Sequence, residues 1–154
     1  MGWILSWIKK PLPLFNTSEE ESIVSAIVLA EQKTSAEIRI HIGKQKKVGD
    51  IVSAASIAFN KLGMQKTAER NGVLIFILPK SKQFAIVGDW GINSKVDALE
   101  WVEIRNQMQM HFQQNEFSEG VIHGIEKAGS LLSRHFKPSK ANPNELSNAL
   151  SKDA

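Results

Sequence analysis

The 154-residue chain contains no cysteine, and this absence removes several kinds of site at once. Disulfides, zinc sites with thiolate ligands, iron–sulfur clusters and cysteine nucleophiles are all excluded. Charge of one sign is also scarce, because 19 basic against 16 acidic residues leave a net charge of only +3. That imbalance is too small to indicate a nucleic-acid partner. With 42% hydrophobic and 23% charged residues, the composition is that of one ordinary globular domain.

Long apolar runs are absent as well. None approaches the roughly 18–20 residues that a membrane-spanning helix needs. The chain starts apolar and becomes basic only at Lys9 and Lys10, which is the reverse of a secretory signal peptide. We therefore expect a cytoplasmic protein. Trp3 and Trp7 would share one face of a helix, so the N-terminal segment either docks on its own domain or contacts a partner or a membrane surface peripherally.

Familiar catalytic and metal-binding motifs are missing too. The sequence has no G-x-S-x-G elbow, no phosphate-binding loop and no H-x-x-x-H or H-E-x-x-H pair. His111, His123 and His135 are spaced 12 residues apart, which on one helix gives an offset of about 120°. This spacing favours surface or helix-end roles over a zinc site.

The residues that are present alternate between helical and strand patterns. Residues 36–42 alternate strictly, with Glu37, Arg39 and His41 on the polar side, which predicts a strand. Val73 to Leu78 is a continuous apolar run typical of a central strand, and Phe84 to Gly88 forms the return strand of a hairpin. Apolar residues at helical spacing predict four helices, at about Ser18 to Lys33, Asp50 to Leu62, Ala98 to Gln113, and Phe117 to His135. Thr17 or Ser18 is the expected cap of the first helix.

The resulting order, α-β-α-β-β-α-α, predicts an α/β fold. A strand–helix–strand unit makes its two strands parallel, and the hairpin adds an antiparallel neighbour. Four helices must cover this mixed sheet, so we expect a three-layer α/β/α sandwich containing a β-hairpin. The domain spans residues 16–137, between an apolar N-terminal segment (1–15) and a polar C-terminal tail (138–154) with a short helix near Glu145 to Leu150.

The hairpin brings polar residues together at one edge of the predicted sheet. Asn71 precedes one strand and Asp89 follows its antiparallel partner, so the two ends meet. The parallel strand places Glu37 at the same edge, and Asp97 follows within reach. Carboxylate and amide oxygens are the ligands that hard divalent cations prefer. These four residues therefore form a candidate site for calcium or magnesium.

Simpler interpretations of the same residues are open at this point. Asp89 can cap the following turn or helix, and Asn71-Gly72 can be an ordinary turn. Glu37 can belong to a solvated strand face. Arg70 can neutralise the cluster without any metal, which would leave a structural ion pair in place of a cation site.

Four segments resemble, in their order and spacing, the TPM domain family. They are residues 34–40 (TSAEIRI), 59–64 (FNKLGM), 70–75 (RNGVLI) and 86–92 (IVGDWGI). Trp101, Phe117-Ser118-Glu119-Gly120 and His135-Phe136 continue the pattern, and Asn144-Glu145-Leu146 looks like the tail of short bacterial members. The family includes a thylakoid-lumen acid phosphatase linked to photosystem II repair. The resemblance implies an α/β/α sandwich that binds a divalent cation, with phosphatase activity in some members.

Two functional hypotheses follow. In the first, the chain is a TPM-like domain that binds calcium or magnesium and has weak or no metal-dependent phosphatase activity. Asp89 and Asp97 would be ligands, Glu37 a ligand or base, and Arg70 a substrate-binding phosphate clamp. In the second, the domain is a non-enzymatic interaction module whose apolar N-terminus contacts a partner or a membrane.

Overall fold

The computed structural model describes residues 14–138 and 146–153, and these contain five α-helices and four strands. In chain order they are α1 (Thr17–Glu31), β1 (Glu37–Ile42), α2 (Ile51–Lys61), β2 (Gly72–Leu78), β3 (Gln83–Gly88), α3 (Trp90–Asn93), α4 (Ala98–Gln113), α5 (Phe117–His135) and β4 (Ser151–Lys152). The predictions for Trp3 and Trp7 concern residues outside these ranges. No helix in the described ranges has both the length and the apolar character to cross a membrane.

The sheet is mixed and has the strand order β3-β2-β1-β4. β1 and β2 are parallel, with Glu37 opposite Gly72, while β2 and β3 are antiparallel, with Val73 opposite Gly88. The predicted hairpin and the parallel crossover are therefore both confirmed. Every residue of β2 is buried, as its unbroken apolar run predicts for a strand covered on both faces.

The two faces of the sheet support separate hydrophobic clusters. Helices α1, α4 and α5 cover the face that carries Ile38, Ile40 and Ile75. Helix α2 covers the opposite face, where its Phe59 packs with Leu74 and other residues of that cluster. The fold is thus the α/β/α sandwich that the element order predicts, since both faces of a central strand must be covered.

The start of the first helix differs from its prediction. Asn16, rather than Thr17 or Ser18, is the cap: its side chain accepts a hydrogen bond from the Glu19 amide, and the Glu19 carboxylate accepts one from the Asn16 amide. This is a capping box displaced by one to two residues. Asparagine caps as well as serine does, so the local sequence offered several equivalent starts.

The C-terminal tail is the second difference. Residues 146–150 lie outside any helix, contrary to the prediction, and Ser151–Lys152 adds a short parallel strand to β1. The His41 imidazole bonds to the Ser151 hydroxyl and the Asp153 carboxylate, each at 3.0 Å, and stacks on Phe76. The tail thereby covers the polar side of β1, and His41 is only 7% exposed. The solvated interpretation of this strand face is wrong.

Close approach of α1 and α5 leads to a first prediction. A Cβ atom on Gly129 would lie 2.7 Å from Cβ of Ala30 and 3.3 Å from its Cα. In an exposed helix, glycine to alanine is usually stabilising, but here we expect Gly129→Ala to lower the free energy of unfolding by about 1–3 kcal/mol. Urea unfolding measures the change.

Gly49→Ala is the matched control, because no atom lies within 4 Å of its added Cβ. Its effect should stay within about 0.5 kcal/mol. A Gly129→Ala protein more stable than the parent would contradict the helix contact.

Candidate functional site

The candidate site lies at the edge where β1 and β2 begin and β3 ends. The Glu37 amide donates to the Asn71 carbonyl at 3.3 Å, and the Asp89 amide donates to the Gly72 carbonyl at 3.0 Å. These backbone bonds join three segments that are distant in sequence. The structure therefore brings Glu37, Asn71 and Asp89 to one edge, as the hairpin and crossover predict.

Arg70 and Asp89 form the main charged contact of this edge. Nε and Nη2 of Arg70 donate to Oδ2 and Oδ1 of Asp89 at 2.7 and 3.0 Å, a two-bond fork on one carboxylate. The Asp89 side chain is nearly buried, whereas that of Arg70 is 38% exposed. The hydrogen bonds to Asp89 raise the pKa of Arg70. The guanidinium also lies 5.7 Å from the ring of Trp90, which is itself exposed.

Asp89 has a second role at the same position. Its Oδ1 accepts from the Trp90 amide at 2.8 Å, so it caps the short helix α3. The capping interpretation and the ion-pair interpretation are thus both observed for this residue. Each bond stabilises the charged carboxylate.

The backbone around Arg70 is held in an uncommon conformation. Its φ is +50°, in the left-handed region that few side-chain-bearing residues adopt. The Arg70 carbonyl accepts from the Gly91 amide at 3.0 Å. A Cβ on Gly91 would lie 2.5 Å from that oxygen and 2.3 Å from the carbonyl oxygen of Glu69. Glycine at position 91 is therefore what permits the segment after Asp89 to pack on the segment before β2.

A buried polar network connects Asn71 to the first strand. Asn71 Nδ2 donates to the Ser35 hydroxyl at 3.1 Å, and that hydroxyl donates to the Glu69 carboxylate. The Asn71 amide donates to the Thr67 hydroxyl at 3.0 Å, which fixes the chain before β2. Asn71 is more than a turn residue, since it is only 1% exposed. No sequence pattern singled out Glu69, and its adjacency to Arg70 and Asn71 was the available signal.

Glu37 lies on the same edge but is separated from Asp89 by packing. Its Oε1 accepts from the Leu146 amide of the tail at 2.7 Å. In the sheet, Gly72 lies between Glu37 and Asp89. A Cβ atom on Gly72 would lie 3.1 Å from the Met64 carbonyl oxygen and 3.5 Å from the Phe59 ring. These groups fill the row between the two carboxylates.

Asp97 is placed elsewhere, as the cap of α4. Its Oδ1 accepts from the Leu99 amide at 2.9 Å, and no hydrogen bond or ion pair in the described ranges joins it to Asn71 or Asp89. Within residues 14–138 and 146–153, no group of three or more His, Asp or Glu residues could hold a metal ion. The donor chemistry of the edge suits a hard cation, but in this arrangement Asp89 already holds a guanidinium.

Glu31 is a further acidic residue that the sequence did not single out. Its carboxylate accepts from the Ile38 amide at 2.8 Å and so occupies the outer edge of β1. Burial, and secondarily the charge of Glu37, raise the pKa of Glu31 to about 7 from an ordinary 4.5. The position at the end of α1 gave no signal, because burial depends on the tertiary packing.

Removal of Arg70 tests the ion pair. Arg70→Ala leaves the nearly buried Asp89 carboxylate without its counter-charge, so we expect a clear loss of thermal stability. Adding Asp89→Asn to the Arg70→Ala variant should restore part of the lost thermal stability. The neutral Asn side chain needs no counter-charge, and its oxygen can still accept from the Trp90 amide. Thermal unfolding without added metal measures both.

Arg134→Ala is the control, because its 3.6 Å pair with Glu100 joins side chains that are 65% and 42% exposed. Exposed pairs contribute little. Equal losses for Arg70→Ala and Arg134→Ala would contradict a stabilising pair at the site.

The pKa of Glu31 generates a pH prediction. Because the pKa of Glu31 is higher in the folded state, its protonated carboxyl group stabilises the fold relative to the charged form. This stabilisation is complete below about pH 4.5 and is lost as the pH rises through about 7. Glu31→Gln, which keeps the acceptor for Ile38, should be more stable than the parent at pH 8, by at most about 3 kcal/mol. The advantage should vanish near pH 4.5. The exposed Glu126→Gln is the control, and a Glu31→Gln advantage independent of pH would contradict the raised pKa.

Comparison with known proteins agrees with this architecture. Residues 10–131 match the TPM domain. The BA42 protein of the psychrophilic bacterium Bizionia argentinensis has a solution structure similar to this one, with 40% sequence identity and a TM-score of 0.87, covering 95% of this chain and 100% of that one. No curated protein matches the chain.

Two more distant solution structures share the fold. The N-terminal domain of cg2496 from Corynebacterium glutamicum has 17% identity and a TM-score of 0.62, covering 81% of this chain and 78% of that one. An N-terminal domain from P. gingivalis has 16% identity and a TM-score of 0.65, with 80% of each chain covered. The match over most of the chain and the 40% identity to BA42 lead to one conclusion: the chain belongs to the TPM domain family.

Proposed function

We propose that this TPM domain binds a divalent cation, calcium or magnesium, with Asp89 as the principal carboxylate ligand. The observation that carries the proposal is that Asp89, 8% exposed, already holds a positive charge with both of its oxygens. The cation that it holds belongs to the half-exposed side chain of Arg70, whose long stem can rotate into solvent. A free ion can therefore exchange with the guanidinium without unfolding the edge.

The surroundings of Asp89 favour a hard cation. Glu31, Glu37 and Glu69 belong to segments that meet at the same edge, and Asn71 and Ser35 add neutral oxygens. Oxygen donors of this kind suit calcium and magnesium, which also retain water ligands. Water would have to complete the coordination, since the described residues of this edge do not offer three convergent carboxylates. Asp97 is not required, because its carboxylate caps α4.

Weak phosphatase activity would follow from the same exchange. Once Asp89 holds an ion, the guanidinium of Arg70 is released, and its planar fork suits a phosphate group. The bound ion would polarise a phosphoryl oxygen. Arg70 would then position the phosphate at the rim of the site, beside the exposed ring of Trp90.

A non-enzymatic module is the second candidate. The exposed Trp90 ring, 61% accessible beside a cationic guanidinium, is an amphipathic surface of the kind found at binding interfaces. In that case the ion would order the edge and the domain would bind a partner without turnover. The contact predicted for Trp3 and Trp7 with a partner or a membrane is a separate part of this hypothesis.

Cation titration tests the proposal. We expect calcium or magnesium to raise the melting temperature by mass action, and Asp89→Asn to remove most of that rise. Exchange also moves the Arg70 guanidinium away from Trp90, so tryptophan fluorescence should change with the same saturation curve. Trp90→Phe should abolish the optical change while it preserves the thermal shift. Asp97→Asn is the control carboxylate and should preserve both effects.

Arg70→Ala separates exchange from a purely structural pair. If the ion competes with Arg70, this variant should bind calcium or magnesium more tightly than the parent. A melting temperature that neither the ions nor a chelator changes, in both the parent and Arg70→Ala, would refute cation binding at this edge. Hydrolysis of a generic phosphomonoester, with and without the ion, then decides between the phosphatase and the non-enzymatic module.

A further inference from the structure

Two histidines that are far apart in sequence meet between α4 and α5. The ring centres of His111 and His123 are 5.4 Å apart, and the rings are inclined at 44°. They lie in a surface cavity of about 310 Å³ at the end of the helical hairpin, on the side of the molecule built by α4 and α5. Neither residue takes part in the edge that contains Asp89.

The tautomer of each ring follows from its hydrogen bond. His111 Nδ1 lies 2.9 Å from Oε1 of Glu116, and a carboxylate can only accept there. The proton is therefore on Nδ1, and Nε2 carries the free lone pair. A carboxylate bonded to the far nitrogen is also the arrangement that orients and strengthens metal-binding histidines.

His123 is set by a longer relay. Its Nε2 lies 2.5 Å from Oε1 of Gln107, and Nε2 of Gln107 donates to the Glu103 carboxylate at 2.9 Å. The bond to Glu103 orients the Gln107 amide, so that its oxygen faces the imidazole. His123 therefore carries its proton on Nε2, which leaves the lone pair on Nδ1.

We propose that His111 Nε2 and His123 Nδ1 bind a transition-metal ion of the zinc type. Imidazole nitrogens are preferred ligands of Zn²⁺ and Ni²⁺, unlike the oxygens that calcium and magnesium require. Two imidazoles that bind one ion through nitrogens about 2.0–2.1 Å away have ring centres about 5 Å apart, close to the distance observed. Water completes the coordination, since no third acidic or histidine ligand joins the pair in the described ranges.

The charges around the pair set the strength of binding. Lys127 lines the same cavity and opposes a cation. Glu116, which lines the same cavity, partly offsets the charge of Lys127. The site should therefore be weak and exchangeable rather than structural.

Zinc titration of the full chain tests the proposal. The ring ¹⁵N shifts of all four histidines are recorded at pH 8, first without metal, where His111 should be the Nδ1–H tautomer and His123 the Nε2–H tautomer. Added zinc chloride should then shift both rings together and saturably, and calorimetry should give one ion per chain. The rings of His41 and His135 should not move with the same curve.

Matched variants assign the ligands. His111→Gln and His123→Gln should each lower the zinc affinity at least tenfold, and Glu116→Ala should lower it roughly 10- to 100-fold. Lys127→Gln should raise it, by up to roughly tenfold. His135→Gln, a substitution in the last residue of the same helix, and Asp89→Asn should leave it unchanged.

Three results would overturn the proposal: no saturable ring shift with zinc, opposite tautomers in the free protein, or equal losses for His135→Gln and His123→Gln. Calcium and magnesium should not shift either ring. This site can therefore fail or succeed independently of the cation site at Asp89.

Discussion

The ion pair between Arg70 and Asp89 is the constraint on which the candidate site depends. It closes the open end of the β2–β3 hairpin, where a buried carboxylate without a counter-charge would be strongly unfavourable. The pair is made by Arg70 in a left-handed conformation, and Gly91, without a side chain, packs against the Arg70 carbonyl. The strained backbone of Arg70, Gly91 and the ion pair therefore belong to one local arrangement. This arrangement also places the Trp90 ring beside the guanidinium.

The polar side of β1 also carries buried polar groups, and residues of the tail supply their hydrogen-bond partners. Glu37 and His41 point into the face of the sheet that α2 only partly covers. The Leu146 amide bonds to Glu37, while Ser151 and Asp153 bond to His41. Buried polar groups persist only with such partners. Residues 146–153 of the tail consequently pack on the domain, although their composition resembles a solvated extension.

The two proposed cation sites differ in chemistry and in location. The edge at Asp89 offers oxygen atoms and exchanges one positive charge for another. The α4–α5 cavity offers two imidazoles, and Glu116 and Gln107 each hydrogen-bond to the ring nitrogen that is not the proposed ligand. Calcium and magnesium should therefore prefer the oxygen site at Asp89, and zinc should prefer the two imidazoles. Occupation of one site does not require the other.

The sequence by itself determined the four long helices and the pairing of the first three strands. The continuous apolar run of β2 predicts a strand covered on both faces, and helical spacing gives α4 and α5 with the observed bounds. Together with the right-handed crossover rule, these patterns also predict that Glu37, Asn71 and Asp89 meet at one edge. Those conclusions rest on local periodicity and on general rules of chain connection, which a single sequence displays.

Only the tertiary structure decided what those groups do once they are close. Side-chain packing between distant segments decides that Asp89 pairs with Arg70 and that Glu31 is buried. It also places Met64 and Phe59 between Asp89 and Glu37. The meeting of His111 and His123 likewise requires the angle between two helices, which their spacing in the sequence does not contain. The strand added by the tail is only two residues long and has no periodicity to recognise. Its position is set by the unpaired edge of β1 and by the partners that His41 needs there.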